Sequence, residues 1–500
     1  VGAGIPVMYV SYMYPRTALW LFLIYMPFGG TILYQFMGGN ALFNLAKDGF
    51  FIPACLALVM ECRRKRQPIL VSKKLLVTLG LLMVCALLTL ILVNGSQQLL
   101  PACTQAMKLA KIPCREKLPI AQGILGLKVL VGYVPLIFCT YYLIEGKKQL
   151  LWLARLHVIL ALICCILGVY QYILLDRGIC EGTRNAVGED LFKASLDAKC
   201  FIGGALTFSP SQNQIRLPGT FASPWHWAWF LIANSALAFA VAFNDPVFLW
   251  RLAGLAAMGL VFINSFISGQ RIALALVPVI TMILLVMTGQ IANLKRFIPI
   301  GIGLALVGTI VVSMNPELIQ ERIDSFTSRA EASPPHAFIQ EQFEWAIRSH
   351  GGFFGRGLGR GTNSTRIFGP AALIETFHPK LLYEMGWSGM LAFVIFTTHI
   401  TIVTFLSNRK LKTKVLKDFG SSYWVFVMII SYFPYWYPLD TDPVAVYYWM
   451  LIGVILKLPE LDKQELAEAK LAQEQEAELL AQERERRRRA LGLDPTNEAA

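Results

Sequence analysis

The sequence predicts an all-α, polytopic membrane protein of about twelve transmembrane helices with a large extracytoplasmic loop. Three observations lead there. First, 55% of the 500 residues are apolar and only 15% are charged, with mean hydropathy +0.54; a soluble domain carries roughly a quarter charged residues. Second, the apolar residues gather into runs of roughly 20, the length that crosses ~30 Å of hydrocarbon. Third, the basic clusters between those runs all fall on one side when the runs alternate across a bilayer, as cytoplasmic loops do.

The expected spans are 17–37, 42–62, 75–95, 122–144, 151–175, 224–243, 247–267, 271–291, 297–314, 382–406, 421–438 and 443–457. Pro27 with Gly29 and Gly30 interrupts the first, and the last is short. Arg63 to Arg66 with Lys73 and Lys74, Lys147 with Lys148, Lys295 with Arg296, and the run from Arg409 to Lys417 mark the inner side. Both termini then lie in the cytoplasm, and a multi-pass protein of a bacterial inner membrane is expected. The domain division is a transmembrane unit over 1–457 and a charged cytoplasmic helical tail over 458–500. The outer side receives loops 96–121, 176–223 and 315–381 and the tight turn from Ser268 to Arg271. Val1 to Pro15 lacks a basic n-region and a small-residue cleavage site, so no signal peptide is expected there.

Cysteine placement agrees with this orientation. Cys55, Cys85, Cys139, Cys164 and Cys165 sit inside spans, and Cys62 lies at a cytoplasmic end. Cys103 and Cys114 share one outer loop, and Cys180 and Cys200 another. Two pairs on the oxidising side suggest two local disulfides. Their spacings are unlike paired metal ligands, and no metal is expected.

Along the chain, Arg155 and His157 near an inner end read as interfacial anchors. The loop 176–223 ends in Arg216, Pro218-Gly219 and Ser223-Pro224. Ser223 reads as an N-cap with Pro224 at the first helical position, which aims free N–H groups outward towards an anion. Trp225, Trp227 and Trp229 read as an aromatic belt, and His226 as its interfacial partner. Arg271 follows a joint too short to reach bulk solvent and so stands at the mouth of the bundle. A lone Arg at a span end is ordinarily a headgroup anchor, but an outer Arg departs from the usual bias.

The polar insert from Met314 to Leu381 carries six Arg and one Lys. Guanidinium offers a planar fork that matches phosphate; the bland alternative is pairing with the insert's own carboxylates, from Glu317 to Glu375. Residues 338–350 read as an amphipathic helix on the membrane surface or against the bundle. The run Gly355-Arg356-Gly357-Leu358-Gly359-Arg360-Gly361 lacks the Lys-Ser/Thr ending of a nucleotide loop. It reads as a flexible turn, or with Arg356 and Arg360 as an anion-binding nest. His378 stands just before a span and is a usable proton acceptor near neutrality; a lone His there is more often structural. The net charge of +13 belongs to topology and phosphate affinity, not nucleic acid. The Glu-, Gln- and Arg-rich tail permits a cytoplasmic partner.

Four stretches together resemble the O-antigen ligase and O-antigen polymerase superfamily of bacterial envelope glycosyltransferases. They are Arg216-x-x-Gly219-Thr-Phe-x-x-Pro224, Ser268-Gly-Gln-Arg271, Gly355-Arg-Gly-Leu-Gly359, and His378-x-x-Leu-Leu-x-Glu384-x-Gly386-x-x-Gly389. The likeness covers roughly 200 to 390, in the family's order, and extends to its exopolysaccharide members in cyanobacteria. Pro379 stands where Asn is common, and Trp225-His226 replaces an Asn-containing step; both departures concern acceptor recognition. The resemblance implies a GT-C-like membrane enzyme that needs neither metal nor cofactor. It would transfer a glycan from an undecaprenyl-diphosphate carrier to a glycan or lipid-linked acceptor outside the membrane. On that reading Arg216 and Arg271 hold the diphosphate and His378 serves the acceptor hydroxyl. Arg356, Arg360, Gly357 and Gly359 contact phosphate or sugar, and Glu384 orients a neighbour. The contrasting expectation is a flippase of lipid-linked glycan or a small-solute transporter, which should show buried ionisable groups in mid-span or inverted repeats.

Overall fold

The computed structural model describes residues 4–39, 46–69, 71–110, 112–185, 199–204, 207–209, 214–290, 320, 324, 327–328, 331–435 and 438–491. The expected span 297–314 lies outside these. The fold is helical, and the described strands are a two-residue antiparallel pair, β1 (Phe208–Ser209) and β2 (Gln214–Ile215). Among the described residues eight helices are long and apolar enough to cross a membrane, as in a multi-pass membrane protein.

The chain opens with α1 (Gly4–Met13), α2 (Pro15–Thr31, extended by a π-turn over Ile32–Phe36) and α3 (Ala46–Arg64). Next come α4 (Lys73–Leu88), carried on by a π-turn and a short helix to Leu99, then α5 (Pro119–Val131), α6 (Leu136–Leu143) and α7 (Lys147–Asp176). After the β pair follow α8 (Pro224–Asn244), α9 (Phe248–Ile267), α10 (Arg271–Met287), α11 (Pro335–Ser349), α12 (Phe377–Arg409), α13 (Lys414–Tyr432) and α14 (Val444–Ala490).

The two ends of the bundle are chemically distinct. At the end bearing the basic clusters, Arg16 reaches Glu61 at 3.0 Å and Glu145 at 3.2 Å. There Arg155 grips Asp245 at 2.8 Å, and Lys147 pairs with Glu465. At the opposite end, Thr31 N–H donates to Thr220 O at 3.0 Å and Leu118 N–H to Phe368 O at 2.9 Å, binding the loops to the bundle. The outer loops are stapled as well. Cys103 is bonded to Cys114 and Cys180 to Cys200, with Cα atoms 4.9 and 5.5 Å apart.

Helix α8 is the axis of the bundle, packed by α7, α9, α10 and α13. Surrounded on all sides, it has no lipid face, which corrects the aromatic-belt expectation: Trp227 and Trp229 are fully buried. Without a hydrophobic drive inside lipid, such packing rests on dispersion contact and interhelical hydrogen bonds. One of these is Asn264 Nδ2 donating across to Cys165 O at 3.1 Å. His157 is not an interfacial anchor either. It is buried, its Nδ1 lies 2.8 Å from Leu153 O, and its ring stands against Tyr447.

Three further boundaries differ from expectation. The span expected at 122–144 is two helices, α5 and α6, separated by the turn at 132–135. The short last span is the start of a 47-residue helix, so no break separates membrane unit from tail at 457. Helix α14 is packed into the bundle as far as Asp462 and, apart from half-buried Glu465, exposed from Lys463 onward. Finally, α1 lies along α3 with Met8 beside Gly49 and Tyr12 bonded to Met60. Gly4 therefore sits towards the Ala46 end of α3, not among the basic inner ends where the N-terminus was placed; Arg16 is the residue that lies there.

Candidate functional site

Arg216 and Arg271 lie 55 positions apart in sequence but meet at one end of the bundle. The chain after β2 is tied to the turn before α10: Leu217 N–H donates to Ser268 O at 3.0 Å. Within that turn, Ser268 Oγ accepts from Gln270 N–H at 3.2 Å, and Gln270 Oε1 accepts from Arg216 Nη2 at 3.3 Å. Arg216 N–H in turn donates to Thr207 O at 2.7 Å. Burial pushes the Arg216 pKa below the ordinary guanidinium range, the charge of Arg271 lowers it further, and Glu375 opposes both. It remains cationic at neutral pH. Two guanidinium groups that repel each other in a half-buried place raise the local potential and favour an anion. Beside them opens a small pocket lined by polar and apolar residues together: Gln214, Ser265, Phe266, Gln270, Arg271 and Leu274.

Glu375 brings the segment that leads into α12 within electrostatic reach of Arg216. His378 follows three residues later on the first turn of α12, half-buried, its ring 6.0 Å from Phe377 and 6.2 Å from Phe393. A straight helix would separate residues 378 and 393 by roughly 22 Å at 1.5 Å per residue. They meet because α12 is two helices, folded at Gly386. Gly386 has φ +66°, a conformation that costs other residues dearly, and an added Cβ there would lie 2.2 Å from Phe353 O. The expected span 382–406 is thus preceded by a short outer helix, 377–385, that carries His378.

The glycine run holds this fold in place. Arg356 N–H donates to Tyr383 O at 2.8 Å and Gly357 N–H to Glu384 O at 2.9 Å, so the run caps the carbonyl end of helix 377–385. Gly355 passes so close that a Cβ would lie 2.5 Å from the Glu384 carbonyl. Glu384 answers from its side chain: its Oε1 accepts from Gly361 N–H at 2.7 Å and from Thr362 Oγ1 at 2.9 Å. On the other side the run docks on the ends of α4 and α5. Asn94 accepts Leu358 N–H at 2.9 Å and donates to Leu358 O at 3.1 Å, and Gln122 Nε2 donates to Gly359 O at 3.2 Å.

The Arg side chains of the run are engaged similarly. Arg356 Nε donates to Ser349 O at 2.8 Å. Arg360 Nη2 donates to Gln97 Oε1 at 2.7 Å and lies 3.9 Å from Glu116. Burial lowers the Arg360 pKa, against the pull of Glu116. Arg356, Gly357, Gly359 and Arg360 therefore form a docking element against α4 and α5, while Arg216 and Arg271 form a separate basic centre. Helix 377–385 lies between the two groups.

Sequence reasoning missed the loop after α13. Thr376 bridges to Tyr435, and Phe377 N–H donates to Pro434 O at 2.7 Å. Lys380 forms an ion pair with Asp440, and Lys47 one with Asp442. The signal was present as two aspartates close together in an outer turn of a chain poor in acids. Helix α11, expected over residues 338–350, spans Pro335–Ser349 and packs on α12, with Trp345 against Tyr383 at 5.2 Å. No group of three or more potential metal ligands occurs among the described residues. No protein-family model matches the sequence, and no curated protein matches it either.

Proposed function

We propose that the protein is an extracytoplasmic glycosyltransferase of the ligase or polymerase kind, working on a lipid-diphosphate glycan donor. The observation that carries this reading is the meeting of Arg216 and Arg271, two guanidinium groups held close in a half-buried place. Paired guanidinium groups suit a diphosphate. The twelve-span, GT-C-like architecture and the inner-membrane location belong to the same proposal.

In the reaction, an acceptor hydroxyl oxygen forms a bond to the donor's anomeric carbon. The bond from that carbon to the phosphate oxygen breaks, and its electron pair leaves with the lipid diphosphate. Arg216 and Arg271 stabilise the charge that grows on the leaving phosphate. His378 takes the hydroxyl proton and releases it to water. Glu375 holds Arg216 in place before the donor arrives. Arg356, Arg360 and Glu384 keep helix 377–385 against the bundle.

The test is to incubate the purified protein in lipid discs with an undecaprenyl-diphosphate glycan and candidate acceptor sugars. Donor consumption with glycan growth is expected, and both should fall by about 10²–10³-fold in Arg271→Ala and His378→Ala variants that still insert and fold. Retained transfer in both variants would sink the assignment. One observation favours a transporter instead: the ion pairs Lys47–Asp442 and Lys128–Asp48 (2.9 Å) place ionisable groups within the bundle. Movement of donor across the bilayer without bond formation would select that reading.

A further inference from the structure

We propose that the buried Lys380–Asp440 ion pair is a positioning device for His378, and that the chain after α13, at Pro434, Tyr435 and Asp440, thereby serves the catalytic apparatus. This rests on the transfer reading above. Lys380 lies two residues after His378 on the same short helix, and its side chain is 3% exposed. Asp440 is 9% exposed and comes from a turn 60 positions away in sequence. The other links between that loop and the helix are the Phe377 N–H to Pro434 O hydrogen bond and the Thr376–Tyr435 bridge.

The short helix needs such a hold. It is nine residues long, too short to be stable alone, and it is detached from the rest of α12 by the fold at Gly386. The glycine run fixes its far end, at Tyr383 and Glu384. The end bearing His378 is held by the loop and by the packing of Phe377 and His378 on Phe393. The pair is also poorly made for stability. Asp440 Oδ1 has no hydrogen-bond partner among the described residues. A buried ion pair with an unsatisfied oxygen contributes little over an apolar pair of similar volume. What it supplies is direction: one lysine on one turn, held to one point of the loop. Asp442, two residues on, ties the same loop to α3 through Lys47, so the anchor point is itself anchored.

The test uses the full-length protein in lipid discs with the lipid-diphosphate glycan donor. Asp440→Asn should lower kcat about 100-fold, the scale of a misplaced catalytic group, with little change in the donor KM. In a His378→Ala background the same substitution should cost nothing further, because groups that act as a unit lose their effects together. Where Asp440→Asn does not fold, the paired Lys380→Met, Asp440→Leu variant replaces the ion pair with apolar volume and gives the same reading. A folded variant of either kind with wild-type kcat overturns the proposal, as does a loss that simply adds to that of His378→Ala. If His378→Ala itself retains full transfer, the assignment of the base falls, and the positioning role falls with it. If His378→Ala abolishes transfer but Asp440→Asn does not impair it, only the positioning role falls.

Discussion

The glycine run and the Arg216–Arg271 centre both look like anion sites in one dimension, and the fold treats them in opposite ways. In the run, the N–H groups of Arg356, Gly357, Leu358 and Gly361 are given to Tyr383, Glu384 and Asn94. Its arginines serve Ser349, Gln97 and Glu116. At the other centre Arg216, though bonded to Gln270 and within reach of Glu375, is drawn towards Arg271 although their charges repel, next to a pocket. Polar groups already paired with protein cost free energy to recruit for a ligand. Like charges held together make ligand binding more favourable. On the proposed function, electrostatic tension, more than glycine content, would mark the place for a phosphate.

Substitutions can break or sharpen this contrast. The largest effect is expected at the basic centre: Arg271→Ala or Arg216→Ala should reduce transfer by about 10²–10³-fold with the thermal unfolding temperature kept, measured by donor consumption and by a melting curve in detergent. Gly386→Ala should instead act on the fold. Its φ of +66° and the 2.2 Å approach of Phe353 O predict a loss of about 1–3 kcal/mol or more in stability, and a wild-type melting curve would refute the folded-back helix. Smaller still, Arg360→Ala should cost about 1.5 kcal/mol through its bond to Gln97 and change transfer mainly by loosening the loop. A transfer loss as deep as that of Arg271→Ala would place Arg360 in the phosphate site and erase the contrast. Removing the exposed tail beyond Lys470 should leave both transfer and melting temperature unchanged, and a loss of either would show that the bundle depends on it.

Hydropathy made the helices legible, because a bilayer demands long apolar runs with their backbone bonds satisfied internally. Charge bias separates the two ends of the bundle, and the structure brings Arg216 and Arg271 together and Glu375, three residues before His378, within reach of Arg216. The break at Gly386 was not readable. It lies in an apolar stretch where periodicity continues, and only the approach of Phe353 reveals why glycine is needed. The buried state of Trp227 and Trp229 was hidden for a related reason: composition shows that a helix is apolar, not whether lipid or protein surrounds it. The pairing of Lys380 with Asp440 depends on a contact across 60 positions, and nothing local in either residue announces its partner. The polar side chains Asn94, Gln97 and Gln122 at the outer ends of α4 and α5 were visible, but their task became clear only when the glycine run was seated on them.

Helix α14 has a mechanical consequence. It starts beside Asp442 on the outer face and runs without interruption to Ala490, a shaft of roughly 70 Å at 1.5 Å per residue. Where it leaves the bundle it passes through a collar. Asp462 accepts from the N–H groups of Lys412 and Thr413 at 3.0 and 2.8 Å, Glu465 meets Lys147, and Glu460 accepts from Tyr141 at 2.9 Å. These bonds hold the helix against tilting, turning and sliding alike where it leaves the bundle, so the long exposed remainder, with Arg486 to Arg489 at its end, rests on a fixed root.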